Sequence, residues 1–484
     1  MKPDDISNAL NSLDEELISE ADGIRTKKSR LKFNIIKTVA AVACVALVVT
    51  LWTVLTPPDA PNPPTVIPVY GVGIEAEYPE TVPFPDASNN DTPSGYDAYS
   101  AAYDKWFEAR QKVRNMTSGY TESLAPFYQQ TMSEILSNNN GENKVYSPLN
   151  VYMALSMLAE TTEGESRKQI LDLLGVTDIE ALRTKANKMW LANYADDGAT
   201  KSILANSMWL SDTVRYNQNT LKNIADNYYA SSYLGDVGSD GFEKALQDWL
   251  DKQTGGLLGD AVKNVEMSDD TLMMLASTVY FNARWQDEFF EDKTKTDTFH
   301  SPKGDVKCEF MNTGDLSHVY FGEGFLAHKK PFVNNMAMRF ILPDEDVSID
   351  SLIKSDKLSD LFYSYEDKTR YCSITLSVPK FDVSYNTDLK ENLMNLGIEN
   401  VFSAEKSEFS LLEGEAPIAL GKVDHAARVT IDEKGCVAAA FTVESLCGSA
   451  MPIEKVDFVL DRPFIFAITS EAGAPLFIGI VNQP

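Results

Sequence analysis

At 484 residues the chain allows one large domain with appendages or two to three smaller domains, and a 44% hydrophobic content is enough to fill a sizeable core. The formal net charge of −28 argues against nucleic acid, which demands a basic face, and against docking on polyanions such as heparin. Five cysteines (Cys44, Cys308, Cys372, Cys436 and Cys447) form no CxxC pair and are too few for a disulfide scaffold. No zinc, thioredoxin-like or other cofactor chemistry is therefore expected.

Residues 38–56 read TVAAVACVALVVTLWTVLT, without a charge. If Lys37 snorkels, the span 33–55 supplies the ~20 residues a helix needs to cross a bilayer. Arg25, Lys27, Lys28, Arg30, Lys32 and Lys37 precede it, and no Lys or Arg follows until Lys105. This asymmetry predicts an uncleaved transmembrane anchor over 33–56, a cytoplasmic tail over 1–32, and an extracellular remainder. Residues 57–95 then hold ten of the chain's 22 prolines, a composition that favours extended polyproline II over sheet pairing. An extracellular stalk over 57–119 is expected, at ~3 Å per residue reaching on the order of 100 Å. Within it YDAYSAAYDKWFEARQKV (96–113) has helical character. The compact domain is expected over 120–484.

From there helices come first. The stretches 123–136 and 148–160 carry apolar residues at helical spacing, and 165–175 reads as a helix ended by Gly175. TLMMLASTVYFNARW (271–285) is nearly continuously apolar, as a central strand covered on both faces should be. MAMRFILPD, CSITLSVPKF, KVDFVLDRPFIFAIT and PLFIGIVN follow as further strands. Without regular β-α-β alternation, the fold class is α+β.

A catalytic constellation is not found. The four histidines, His300, His318, His328 and His425, lie in no HExxH motif, and no GxSxG, Walker A or GxGxxG pattern occurs. SLIK (351–354) matches S-x-x-K, but the S-D-N and K-T-G partners of that motif are missing. The chain is not expected to be an enzyme.

The stretch ARVTIDEKGCVAAAFTV (427–443) is more specific. It resembles the hinge of the reactive-centre loop of serpins, the serine protease inhibitors, through Glu433, Gly435, Ala438, Ala439 and Ala440. The C-terminal DRPFIFAIT…GAPLFIGIVNQP resembles the family's last strands, and NKVYSPLNVYMALSML, with Ser147 and Pro148, its second helix. VYFNARW with Trp285, FILPDED, LSVPKFDV, LMNLGIENVF and KVDHAARVTIDEKG follow in the family's order. The resemblance covers 120–484 and implies three β-sheets, eight to nine helices and an exposed loop that serves as bait. It implies a suicide-substrate inhibitor whose partner is a target serine protease, trapped as an acyl-enzyme while the cleaved loop inserts into the main sheet. A non-inhibitory serpin acting as a surface binding module is the alternative.

Such insertion demands a hinge that starts on a freely rotating glycine, Gly435, and turns only small neutral residues inward. The inward face counted from Cys436 is Cys436, Ala438, Ala440 and Thr442, all small and uncharged. Cys436 replaces the family's usual Thr or Ser, Phe441 is large on the outward face, and Ser277 replaces an Asn at the sheet-opening region, where Ser147, Trp285 and His425 are also expected. The family's spacing puts the bait fourteen residues after Gly435, so the reactive bond is expected at Ser449–Ala450. The small residues around it, and the absence of Lys or Arg between Lys434 and Lys455, imply an elastase-like or subtilisin-like target. Cys436 and Cys447 would lie ~35 Å apart in an inserted strand, beyond the ~7 Å Cα separation of a disulfide, so a bond between them would block insertion.

Overall fold

The computed structural model describes residues 70–85, 93–256, 262–263, 265–267, 271–333, 335–358, 361–362, 368–412, 418–436 and 454–484. The tail 1–32, the anchor 33–56, and Ala438, Ala439, Ala440, Thr442, Ser449 and Ala450 lie outside the described residues. Within the described residues no helix is long and apolar enough to cross a membrane.

The first half of the chain runs β1 (Tyr70–Ile74), α1 (Pro93–Thr117), α2 (Ala125–Leu136), β2 (Lys144–Tyr146), α3 (Pro148–Thr161), α4 (Gly164–Leu174) and α5 (Ile179–Asn193). It continues through β3 (Ala195–Asp196), β4 (Thr200–Ser211), α6 (Gln218–Tyr228), β5 (Ala230–Gly235), α7 (Asp240–Gln253) and β6 (Met273–Arg284). Strands dominate after that: β7 (Lys295–Ser301), β8 (Gly304–Gly322), β9 (Phe325–Pro331), β10 (Ala337–Pro343), β11 (Thr369–Pro379) and β12 (Phe381–Asp388), with the short α8 (Ile349–Lys354) before β11. The last elements are α9 (Lys390–Asn395), β13 (Asp424–Ile431), β14 (Gly435–Cys436), β15 (Lys455–Val459), β16 (Phe464–Thr469) and β17 (Pro475–Val481).

Local chemistry explains the main elements. The side chain of Ser147 caps α3 by accepting from the Asn150 N–H, and Pro148 follows in the first turn, where its missing N–H costs nothing. Gly175 ends α4 in the left-handed conformation at φ 65°. Every residue of β16 and β17 is buried, as the unbroken apolar runs require.

Three sheets result. A six-stranded sheet runs β1-β5-β4-β6-β14, with β3 beside β4. The 19-residue β8 is long enough to pair with β7 over Gly304–Phe310, with β11 over Phe310–Tyr320 and with β9 over Val319–Gly322, so nine strands join into one sheet. The pair β12-β13 stands as a third. Nine α-helices lie among the described residues, and the buried side chains of α2, α3 and the strands merge in one large core.

The expected stalk over 57–119 is corrected. Residues from Val69 onward belong to the same compact unit as the rest of the fold. Between Pro68 and Pro79 the sequence is free of proline, so Tyr70–Ile74 can donate and accept along an edge, and they pair antiparallel with β5. Ser232 Oγ accepts from the Ile74 N–H at 2.9 Å. Helix α1 is also packed, through Trp106, whose Nε1 donates to Asp197 Oδ2 at 3.0 Å. A Cβ on Gly73 would lie 2.5 Å from Leu234 Cδ1 and 2.8 Å from Ser232 Oγ. Gly73→Val should therefore detach β1 at a cost of ~1–3 kcal/mol, read as new limited-proteolysis cuts within 70–85 while cuts elsewhere stay unchanged.

Candidate functional site

The site is the seam between β6 and β13. On its β4 side, β6 is paired along Met273–Leu275 through Ala283. On the other side, among the described residues, only Arg284 and Ala283 are paired, with Gly435 and Cys436 of β14. Strand β13 pairs instead with β12 along its whole length. A cavity of about 490 Å³ lies at the lower end of the seam, lined by Asn150, Leu155, Ser277, Leu389, Val423 and His425 among others.

The N-terminus of α3 ties both sides of this seam. The Ser147 N–H donates to His425 Nε2 at 3.1 Å, holding β13. Asn150 Nδ2 donates to the Ser277 carbonyl at 2.8 Å, holding β6. Ser147, Asn150 and His425 are all buried. The Ser277 hydroxyl does not donate to His425. It donates to Asn206 Oδ1 at 2.7 Å, and Asn206 Nδ2 in turn donates to the Tyr228 carbonyl at 2.8 Å. The short serine side chain thus braces β6 against β4 on its paired side.

The upper end of the seam is a tight turn. Asp432 Oδ1 accepts from the N–H groups of Lys434 and Gly435 at 2.9 and 3.1 Å, and Asp432 N–H donates to the Gly435 carbonyl at 3.0 Å. Trp285 is buried, stacks on Phe332 with centroids 4.5 Å apart, and donates from Nε1 to the Asp432 carbonyl at 3.0 Å. Its own N–H donates to the Lys434 carbonyl at 3.0 Å. Glu433 is buried and ion-pairs with Lys380 at 2.8 Å, while Thr294 Oγ1 donates to it at 2.7 Å. Burial pushes its carboxyl up, but the Lys380 and Thr294 hydrogen bonds outweigh burial and hold it below the usual range. Gly435 passes so close to β6 that a Cβ would collide with the Ala283 carbonyl oxygen and sit 2.9 Å from Arg284 Cα. Only glycine fits there. Cys436 is buried beside Ala283, and burial pushes its thiol up to about 12, so it is not a thiolate in this state.

Of the sequence-derived residues, the structure brings Glu433, Gly435, Cys436 and Trp285 together at one end of the seam and Ser147, Ser277 and His425 at the other. Asn150 and Asn206 escaped sequence reading as ties. Nothing in one sequence says which strand an Asn side chain will reach. Ser351 and Lys354 of the S-x-x-K match sit on α8, where Lys354 Nζ donates to Asn138 Oδ1 at 3.2 Å. No group of three or more His, Cys, Asp or Glu among the described residues is placed to hold a metal ion.

Burial pushes the His425 imidazole down from 6.5 to about 4. The folded state holds it neutral, whereas the unfolded chain takes up a proton below about pH 6.5. Its contribution is therefore full above pH 6.5 and lost as pH falls toward 4, at most about 3 kcal/mol. A protonated ring also cannot accept from Ser147. Denaturant midpoints should fall across that window, and His425→Gln should flatten part of the fall. His328, likewise pushed down to about 4 by burial, accounts for the remainder. An unaltered slope in His425→Gln would remove His425 from the seam's pH response.

Comparison with known proteins agrees with this geometry. The family described as Serpin (serine protease inhibitor) matches residues 122–484. Serpin-ZX of Arabidopsis thaliana is 26% identical over 72% of this chain and 94% of its own length. Alpha-1-antiproteinase of Rattus norvegicus is 28% identical over 75% of this chain and 89% of its own. Among solved structures, the thermophilic serpin tengpin in its native state superposes with a TM-score of 0.68 at 25% identity, covering 76% of this chain and 95% of that one. Its latent state gives 0.62 at 25% identity, over 74% and 95%. With the family's profile spanning the strands, the seam and the hinge alike, the chain belongs to the serpin family.

Proposed function

We propose that the chain is a suicide-substrate inhibitor of extracellular serine proteases, held at the cell surface by an anchor over residues 33–56. One observation carries the reading: β14 already lies antiparallel on the upper end of β6, while the rest of that edge takes no strand partner among the described residues and ends in a cavity. The greater likeness to a native than to a latent serpin agrees with a loop not yet inserted. A relative named alpha-1-antiproteinase supports the antiprotease class.

The chemistry follows from the seam. The protease's serine Oγ attacks the Ser449 carbonyl carbon; the bond to the Ala450 nitrogen breaks, the amine leaves protonated, and an ester joins the two proteins. Before water resolves that ester, the segment after Cys436 adds to β6 as a strand and gains main-chain hydrogen bonds. The attached protease is carried along and its active site distorted; losing one oxyanion-hole donor slows deacylation by ~10²–10³. Mixing the full chain with elastase- and subtilisin-type proteases should give a higher-mass band that survives denaturation. Mass spectrometry should find the cut at Ser449–Ala450. A cut outside 448–452 would overturn that bond assignment, and clean cleavage with no complex would overturn inhibition.

The register also exposes a cost. Gly435–Arg284 and Cys436–Ala283, continued residue for residue, would set Ala438 against Phe281, Ala440 against Val279 and Thr442 against Ser277. Glu444 would then meet Leu275, and directly opposed residues share a face. Phe281 is part of the main core and the half-buried Leu275 and Val279 pack against it, so full insertion would take a carboxylate out of water. That favours, as a second reading, a loop that is cleaved as a plain substrate. Glu444→Leu should shift the ratio of trapped complex to cleaved product upward by roughly tenfold. An unchanged ratio would mean that the register is not the one set by β14.

A further inference from the structure

Beyond residue 117, four large apolar side chains stand more than a third exposed among the described residues: Phe290, Leu316, Tyr371 and Met394. Two of them, Leu316 and Tyr371, meet on one face of the nine-stranded sheet. Strand β8 sets His318 opposite Tyr371 and Leu316 opposite Ser373 on β11. Opposed residues share a face, so Leu316 and Tyr371 are diagonal neighbours. Tyr371 is 47% exposed, and its ring lies 5.1 Å from that of the exposed His318. Cys372 and Ile374 alternate to the other face and are buried. Strand β15 adds the exposed Lys455 and Asp457 beside Ser373 and Thr375, and Arg370 pairs with Glu454 at 3.3 Å. An apolar centre with charges of both signs at its rim has the anatomy of a protein-binding patch.

The position of the patch identifies its partner. The Ser373 N–H donates to the Glu454 carbonyl at 2.9 Å, at the point where the chain returns from the bait loop to enter β15. Because β11 and β15 run parallel, stepping back from Ser373 to Tyr371 is stepping toward the arriving loop, by about 7 Å. Ala450 is four residues from Glu454, at most about 14 Å along the chain. The Ser449–Ala450 bond therefore lies within roughly 25 Å of Tyr371, and only a fully extended chain reaches that limit. A domain of about 200 residues is on the order of 40 Å across, so an enzyme seated on the bond reaches this face for all but a fully stretched connection. Protease–inhibitor interfaces take about 20–30 residues a side, whereas residues 437–453 number seventeen. Part of the inhibitor's share must come from the body around the loop's ends, and Tyr371 stands at one of them.

We infer that the Leu316–Tyr371 face is a docking surface for the target protease, receiving an apolar part of the enzyme beside its active-site cleft. The inference rests on the inhibitor reading and on the Ser449–Ala450 assignment. The patch belongs to the leaving side of that bond: cleavage keeps Ser449 on the enzyme, while Ala450 stays joined to β15. Contact here therefore speeds the encounter and must be released before the acylated enzyme moves with the inserting strand. A second copy of the chain is the competing occupant.

The test uses the full chain and whichever elastase- or subtilisin-type protease cuts the loop. The second-order rate constant for loop cleavage is measured, whether the enzyme ends trapped or released. In Leu316→Ser/Tyr371→Ser it should fall roughly tenfold, while the ratio of trapped complex to cleaved product holds or rises and the melting temperature is unchanged. Phe290 is 48% exposed and follows Phe289, whose N–H donates to the hinge at the Glu433 carbonyl; Phe290→Ser should leave the rate within about twofold. As a check free of substitutions in this chain, hydroxyl-radical labelling of Tyr371 should drop on adding the same protease with its nucleophilic serine replaced by alanine, while labelling of Phe290 holds. An unchanged rate, or one that falls equally in Phe290→Ser, overturns the surface and leaves inhibition standing. Clean cleavage with no complex, at a rate that still falls tenfold in the double variant, overturns inhibition and keeps the surface. No cleavage by either protease class overturns both. Concentration-dependent dimers of the full chain that the double substitution abolishes assign the face to a second copy and overturn the protease assignment.

Discussion

The fold depends on a seam in its main sheet that is closed by side chains instead of by a strand ladder. A sheet edge inside a protein normally pairs its N–H and C=O groups, because leaving them unmet costs about as much as a lost hydrogen bond. Here two ties from the start of α3 bridge the seam, Ser147 to His425 on one side and Asn150 to the Ser277 carbonyl on the other. Each such bond is worth about 1 kcal/mol net, far less than the ladder a whole strand would supply. The cap that starts α3 and the latch that holds the seam use the same two residues, Ser147 and Asn150, so the helix cannot shift without loosening both strands.

Charge is distributed to suit that arrangement. At the fixed upper end, Glu433 is buried and fully answered by Lys380 and Thr294, and Trp285 holds the turn through two main-chain contacts. Where the backbone passes onto β6, the residues are Gly435, with no side chain to collide, and Cys436, neutral because burial keeps its proton on. The contrast is physical. A buried ion pair resists displacement because separating it strands a charge, whereas a glycine and a neutral thiol resist little. It also weakens the idea of a disulfide from Cys436 in this state, since the thiolate needed for exchange is suppressed.

Much of this was readable from sequence because it is local. The left-handed stop at Gly175 and the apolar runs of β6, β16 and β17 follow from spacing and residue type. What failed was pairing over distance. Ten prolines averaged over 57–95 hid the proline-free window that becomes β1, an error of scale, since a five-residue strand needs only five permissive positions. That β12 and β13 pair apart from β6 leaves no trace in periodicity, because β6 and β13 carry apolar residues whichever neighbour they take. Ser277 shares the sheet-opening region with His425, yet its hydroxyl finds Asn206 across the paired side, a choice set by which strand lies within reach of a short side chain.

The strand order gives the added N-terminal elements a mechanical meaning. In β1-β5-β4-β6 the β1 edge lies three strand spacings, about 14 Å, from the seam. Adding a strand beside β6 separates the β6 side from the β12-β13 side by about one more spacing. Among the described residues, β1 and residues 75–85 hydrogen-bond to β5, β3 and Asp197, so they stay with the β6 side of that expansion. The added elements thus widen the half of the sheet that already holds β14 and leave the seam itself untouched.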